Sequence, residues 1–226
     1  MRFKLGFANN TLGYRLPKKT WQEGRDVRVR LASVGILRET GHEHFWGALV
    51  VPIIDPESGN IVGVYGRRVS AASLREGQSR HLYLKGPHRG VWNVEALSAS
   101  REVTVCEAAF DALSFWAHGH RAVTWAYGVQ GFTDEMLAAM KRHGTEKVLI
   151  AYDADEAGDR AAEELAPRLA EAGIEVRRVL FPRETKDAND YVQKLLASGA
   201  DVSHNLGVLL RGARPMGKGS VVPSAP

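Results

Sequence analysis

The sequence predicts an α/β protein, with a parallel four-stranded sheet flanked by helices and a smaller, basic α+β subdomain ahead of it. Two observations carry that expectation. From about residue 100 onward short apolar runs alternate with helical patterns, the signature of βαβ units and a parallel sheet. Upstream the texture changes to β-rich pieces around a strong turn signal.

In the second half, VTVCE at 103–107 reads as a strand and AFDALSFWAHG at 109–119 as a helix closed by Gly119. AVTWA at 122–126 is the next strand. TDEMLAAMKRHG follows it, with Thr133 as N-cap and Gly144 as the stop. KVLIAYD, from Lys147 to Asp153, is the third strand; a helix rich in alanine and charge spans 157–172 before Gly173, and VRRVLF at 176–181 is the fourth strand. YVQKLLASG supplies one more helix. In the first half, ALVVPII at 48–54 and IVGVYGRRV at 61–69 flank DPESGN and make a hairpin. The expected organisation is a basic α+β subdomain at 1–98, an α/β domain at 99–196 and an extension at 197–226, largely disordered from 212, where GARPMGKGSVVPSAP begins.

At 226 residues the chain can bury a real core without disulfides, and its single cysteine, Cys106, fits a reducing compartment. No run of about 18 apolar residues appears, so a soluble, cytoplasmic protein without membrane contact is expected. The net charge of +4 permits nucleic-acid binding without demonstrating it. Its distribution says more. Basic residues such as Lys18, Arg38, Arg67, Arg68, Arg75, Lys85 and Arg89 crowd the first ninety positions, whereas acidic ones gather from Glu102 to Asp190. That suits a polyanion held beside bound cations, although a solvated surface with uneven charge reads the same way.

Ligands of an open parallel sheet collect beyond the carboxyl ends of its strands, where the strand order reverses. Glu107 closes the first strand, Asp153 closes the third, Asp155 enters the next helix, and Asp187 lies in the loop KDAND after the fourth. With strand order 2-1-3-4 these four carboxylates converge. Crowded carboxylates raise one another's pKa unless a cation neutralises them, and Mg2+ or Mn2+, with its preference for oxygen ligands and retained waters, is the natural occupant. Each member is weak alone. Asp-x-Asp after a strand also occurs in phosphatases and sugar transferases and as simple N-cap chemistry, and Asp187 and Asp190 could equally cap a helix. The joint arrangement is the specific signal.

VCEAAFDAL, VLIAYDADEAGDRAAEEL and KDANDYV together resemble the successive motifs of Toprim domains in bacterial-type DNA primases. LVVPIIDPESGNIVGVYGRR and HLYLKGPHRGVWN resemble the basic subdomain that precedes Toprim there, and the likeness runs over residues 45–192. It is nearest to primase-like proteins of mobile elements that carry a zinc-binding module. The resemblance implies that Glu107 is the catalytic acidic residue, that Asp153 and Asp155 share the catalytic work as the metal-binding pair, that Glu107 and Asp187 also hold metal, and that Asp111 sits on the same helix-start face. It further implies that Arg67 and Arg68 engage nucleic acid or nucleotide, with Lys85 and Arg89 nearby; primases usually have asparagine where Lys85 stands. Ala108 replaces the family's glycine after the glutamate. One cysteine cannot build a Cys/His zinc site, so no zinc is expected. His42 and His44 alternate in GHEHFWG and could meet a metal, but a turn ahead of a strand is the simpler use.

The implied activity is a metal-dependent nucleotidyltransferase, a DNA-directed RNA polymerase that makes primers on single-stranded DNA from nucleoside triphosphates, with Trp46, Trp92 or Tyr83 available for base stacking. A zinc-binding module or helicase on a separate chain is the partner this would call for. Two alternatives stay open: a Toprim nuclease using the same carboxylates to activate water, and a truncated, non-catalytic DNA-binding accessory protein of a mobile element.

Overall fold

The computed structural model describes residues 3–55, 57–70 and 79–217. Arg75, one of the basic residues singled out above, lies outside them, as does residue 56 of the hairpin turn. The chain divides into two compact units, Met1–Gly90 and Val91–Pro226.

In the first unit β1 (Gly6–Phe7), α1 (Leu12–Arg15) and α2 (Gln22–Ser33) precede a hairpin of β2 (Ala48–Ile54) and β3 (Ile61–Arg68), and β4 (His81–Tyr83) follows. The four strands form an antiparallel sheet in the order β1-β2-β3-β4, with Ala48 opposite Arg68 and a bulge at Ile53/Ile54. The hairpin turn closes as its residue types dictate. Asp55 accepts from the Glu57 amide at 3.1 Å and the Ser58 hydroxyl at 2.7 Å, the side-chain mimicry of a backbone turn that favours aspartate there. Phe45, Ala48, Val51, Ile53 and Tyr65 are buried on this sheet.

The second unit runs α3 (Glu95–Ala99), β5 (Glu102–Cys106), α4 (Ala109–Ala117), β6 (Val123–Trp125), α5 (Asp134–His143), β7 (Lys147–Ala151), α6 (Glu156–Glu171), β8 (Glu175–Arg178), α7 (Ala188–Ser198), α8 (Val202–Arg211) and β9 (Arg214–Pro215). Its sheet is ordered β6-β5-β7-β8-β9. The first four strands are parallel, and in chain order they are the 2-1-3-4 arrangement on which convergence of the carboxylates depends. Right-handed crossovers that step first one way from β5 and then the other place α4 on one face and α5 and α6 on the opposite one. Because helices cover both faces, the central strands bury nearly everything: Val103, Val105, Cys106, Val148, Ile150 and Ala151 have almost no exposed surface. Trp92 stacks at 4.6 Å between centroids on Trp125, and the Thr124 hydroxyl donates to the Trp92 carbonyl at 2.7 Å.

Three expectations are corrected. The sheet has five strands, because β9 pairs antiparallel with β8, Arg214 opposite Arg178, on the far edge. Residues 212–217 are therefore ordered by that pairing and by the Met216 amide donating to the Val176 carbonyl at 2.8 Å, where composition alone suggested disorder; residues 218–226 lie outside the described part. The strands also stop short of their apolar runs, at Cys106, Ala151 and Arg178, so Glu107 and Asp153 sit in the loops just beyond them. Among the described residues no helix is long and apolar enough to cross a membrane.

Both ends of α5 follow local rules. The Thr133 side chain accepts from the Met136 amide, and Gly144 ends the helix in the left-handed region at φ 67°. Thr133→Ala is expected to lower unfolding free energy by about 1 kcal/mol, measured by urea denaturation, through loss of that cap.

Candidate active site

Glu107, Asp153 and Asp155 stand at the carboxyl ends of adjacent strands, β5 and β7, and Asp187 begins α7 beyond β8. Two of these carboxylates have structural tasks of their own. Asp155 caps α6, accepting from the Gly158 amide at 2.9 Å, and Asp187 caps α7, accepting from the Asp190 amide at 2.7 Å. The N-cap use of both aspartates is thus observed, and each cap occupies only one carboxylate oxygen. Gly158 is required in this turn: a Cβ there would lie 2.2 Å from the Asp153 carbonyl oxygen, so only glycine lets α6 start against the strand end.

Glu107 is the most perturbed carboxylate of the site. Burial first, then the charges of Asp153 and Asp155, push its pKa from 4.5 up to about 7, against the pull of a hydrogen bond from the Asp153 backbone and the charge of Lys186. Its Oε2 is buried and has no hydrogen-bond partner. Burial also raises Asp153, partly offset by Lys186, whose ammonium sits 3.0 Å from Asp153 Oδ2. Asp153, Asp155 and Asp187 in turn raise the pKa of Lys186, the hydrogen bond to Asp153 contributing most.

The expected gathering is only partial. Among the described residues no three His, Cys, Asp or Glu side chains are drawn close enough to enclose a metal ion. Repulsion between like charges, the two capping duties and the lysine on Asp153 keep the carboxylates within electrostatic reach of one another without assembling a cage. The donor set nevertheless suits a hard divalent cation. Mg2+ keeps several waters and takes one or two protein carboxylates, and a buried, bare carboxylate oxygen at Glu107 is the feature such an ion would relieve. Asp111 and Asp190 are engaged elsewhere: buried Asp111 accepts from the Asn189 amide at 3.1 Å, tying α4 to α7, and Asp190 accepts from the Lys186 amide at 3.0 Å and Lys194 at 3.1 Å. Those donors hold Asp190 below the usual carboxylate range.

Two residues that hold the candidate site together had no signal of their own in the sequence. Lys186 is one. The other is Arg178 on β8, whose side chain is only 3% exposed. Its guanidinium donates to the carbonyls of Tyr152 at 2.9 Å and Asp153 at 2.8 Å, and to Asp159 of α6 at 2.8 Å. A planar fork with five donors can hold a strand end and a helix start in one grip, which a lysine could not.

Of the basic candidates in the first unit, Arg67 and Arg68 are half-buried residues on β3, not in a turn, while Lys85 and Arg89 are exposed. His44 donates from Nε2 to the Tyr83 carbonyl at 2.9 Å, which explains GHEHFWG as turn chemistry. Of the stacking candidates Trp46 is 62% exposed, Trp92 is core at 3%, and Tyr83 is half-buried against Tyr65 and His88.

Residues 104–192 match the model of the Toprim-like family. The chain carries a Toprim-like domain. It is homologous to bacterial DNA primases, among them that of Aquifex aeolicus, with 30% identity over 202 residues, 85% of this chain and 39% of the relative. The chain thus spans about two-fifths of that relative's length. Its fold is shared with the solved zinc-binding and RNA polymerase domains of the Aquifex aeolicus primase, at a TM-score of 0.72 and 22% identity over 95% of this chain and 52% of that one. It is shared likewise with a DnaG primase catalytic domain bound to single-stranded DNA, at a TM-score of 0.68 and 20% identity over 95% of this chain and 67% of that one.

Two outcomes follow from this geometry. A carboxylate whose pKa is higher folded than unfolded binds its proton more tightly in the native state, so stability falls as pH rises from about 4.5 to about 7. Glu107→Gln is therefore expected to be the more stable protein at pH 8, by roughly 2 kcal/mol after allowance for solvent screening, with the advantage gone below pH 4.5; thermal melts across pH measure it. Gly158→Ala, by forcing a methyl into the Asp153 carbonyl, is expected to destabilise the fold by about 1–3 kcal/mol and to weaken Mn2+ binding in equilibrium titration.

Proposed function

We propose that this chain is the catalytic core of a DNA primase, a metal-dependent nucleotidyltransferase that builds RNA primers on single-stranded DNA. The observation that carries the reading is Glu107: a half-buried carboxylate with one bare oxygen, lifted to about 7 beside two further carboxylates at the end of a Toprim-like sheet. A site left with surplus negative charge where two helices begin is suited to receiving cations together with the phosphates they carry. Likeness to bacterial primases supports the choice of reaction.

In the proposed reaction the 3′-hydroxyl of the growing strand attacks the α-phosphorus of a nucleoside triphosphate. The bond to the bridging oxygen breaks and pyrophosphate leaves. Glu107, raised to about 7 in the absence of a cation, accepts the hydroxyl proton with one carboxylate oxygen and would offer the other to the metal ion. Asp153 and Asp155, with Asp187, would hold Mg2+ or Mn2+, which when bound supplies charge neutralisation at the phosphates and leaving group. Arg178 keeps Asp153 in place through the backbone. Arg67, Arg68, Lys85 and Arg89 are assigned to the sugar-phosphate backbone, where such contacts give affinity that falls with salt, and exposed Trp46 to base stacking. The partners are single-stranded DNA template and nucleoside triphosphates, with a zinc-binding module or helicase supplied by another chain or segment.

Purified protein incubated with Mn2+ or Mg2+, labelled ribonucleotides and a single-stranded template should yield short labelled RNA. Glu107→Gln and Asp153→Asn should each reduce incorporation at least about 100-fold. Shortened DNA without incorporation would instead establish a nuclease. Metal binding without turnover, with or without a zinc-bearing partner, would leave a non-catalytic accessory protein.

A further inference from the structure

Lys186 is a cation in contact with a carboxylate of the candidate site, 3.0 Å from Asp153 Oδ2. Its backbone is anchored on both sides. The Lys186 carbonyl accepts from the amide of Ala154, the residue between Asp153 and Asp155, at 2.6 Å, and its own amide donates to Asp190 at 3.0 Å. These two bonds deliver the side chain to the turn that carries the proposed metal pair. The two partners differ in freedom: the Asp153 side chain is 14% exposed, while that of Lys186 is 61% exposed. The carboxylate is fixed and the ammonium can leave on its four-carbon stem.

One ammonium is a poor match for what surrounds it. Glu107, Asp155 and Asp187 all sense its charge, yet it pairs directly with Asp153, and Glu107 Oε2 stays bare. A divalent ion among the same groups would deliver twice the charge and displace the lysine from Asp153. The freed ammonium would then stand at the rim of a site now occupied by a cation and its phosphates. A compact charge with three rotatable donors suits a phosphate oxygen, which demands no fixed fork.

We propose that Lys186 is a resident counter-ion of the acidic site, which holds Asp153 until a divalent cation arrives and then moves to a phosphate oxygen of the nucleotide bound with that cation. The first half concerns the metal-free protein alone; the second half rests on the nucleotidyltransferase reading given above. Lys186 is thus a positioning residue in one state and a ligand-binding residue in the other.

The test uses the whole chain and reads binding rather than turnover. Mn2+ is titrated into wild type, Lys186→Met and Lys186→Arg without nucleotide, and the free aquo ion is followed by electron paramagnetic resonance. Removing a competing ion pair of ordinary strength should make Lys186→Met bind Mn2+ about fivefold more tightly, with Lys186→Arg close to wild type. Each Mn2+-saturated protein is then titrated with a nucleoside triphosphate, where Lys186→Met should bind about tenfold more weakly and Lys186→Arg should recover most of the loss. Unchanged or weaker Mn2+ binding by Lys186→Met, with an unaltered melting curve, would overturn the counter-ion role. Unchanged triphosphate affinity would overturn the phosphate role. Failure of the primase reading shows separately, as absence of incorporation by wild type, and leaves the Mn2+ comparison intact.

Discussion

The repulsion among carboxylates at one edge of the parallel sheet is the constraint around which the second unit is arranged. Glu107 cannot carry its charge comfortably where β5 places it, and Asp153 stands at the end of the next strand. Everything that holds those groups in place must come from other interactions. Arg178 does most of this, reaching from β8 under the strand ends to the carbonyls of Tyr152 and Asp153 and to Asp159 on α6. Burying a guanidinium is costly unless each donor is matched, and here backbone carbonyls and one carboxylate match them. Arg178 thus steadies the Asp153 loop through its backbone.

The opposite edge of the same strands shows what an edge without that role looks like. Glu102, Lys147 and Glu175 are in register on β5, β7 and β8, with Lys147 3.2 Å from Glu102 and 4.0 Å from Glu175. Signs alternate across the strands there, as cross-strand pairing favours. At the carboxyl edge the acidic side chains outnumber the cations among them. One end of the sheet pairs its carboxylates with cations of its own, Arg177 standing 2.6 Å from Glu175, and at the other Lys186 pairs with Asp153.

Much of this was legible in the sequence because it is local. Thr133 and Gly144 bracket α5 through contacts a few residues apart, DPESGN closes on itself through Asp55, and the apolar runs of β5 and β7 are long enough to declare themselves. What escaped depends on distance along the chain. Arg178 carries no signal in VRRVLF, since nothing nearby announces that its partners lie 19 to 28 residues upstream. Lys186 has no evident role within KDANDYV, because its pairing with Asp153 exists only after β8 brings the two loops together. β9 is two residues long, too short for periodicity, and becomes a strand only because β8 presents an open edge.

Asp155 and Asp187 each bind the first turn of a helix with one oxygen and keep the other for whatever occupies the site. Drawing charge toward that second oxygen weakens the hydrogen bond at the first. The Gly158 and Asp190 amide protons thereby become spectroscopic reporters at the starts of α6 and α7, recording through two helix ends how the acidic edge is occupied.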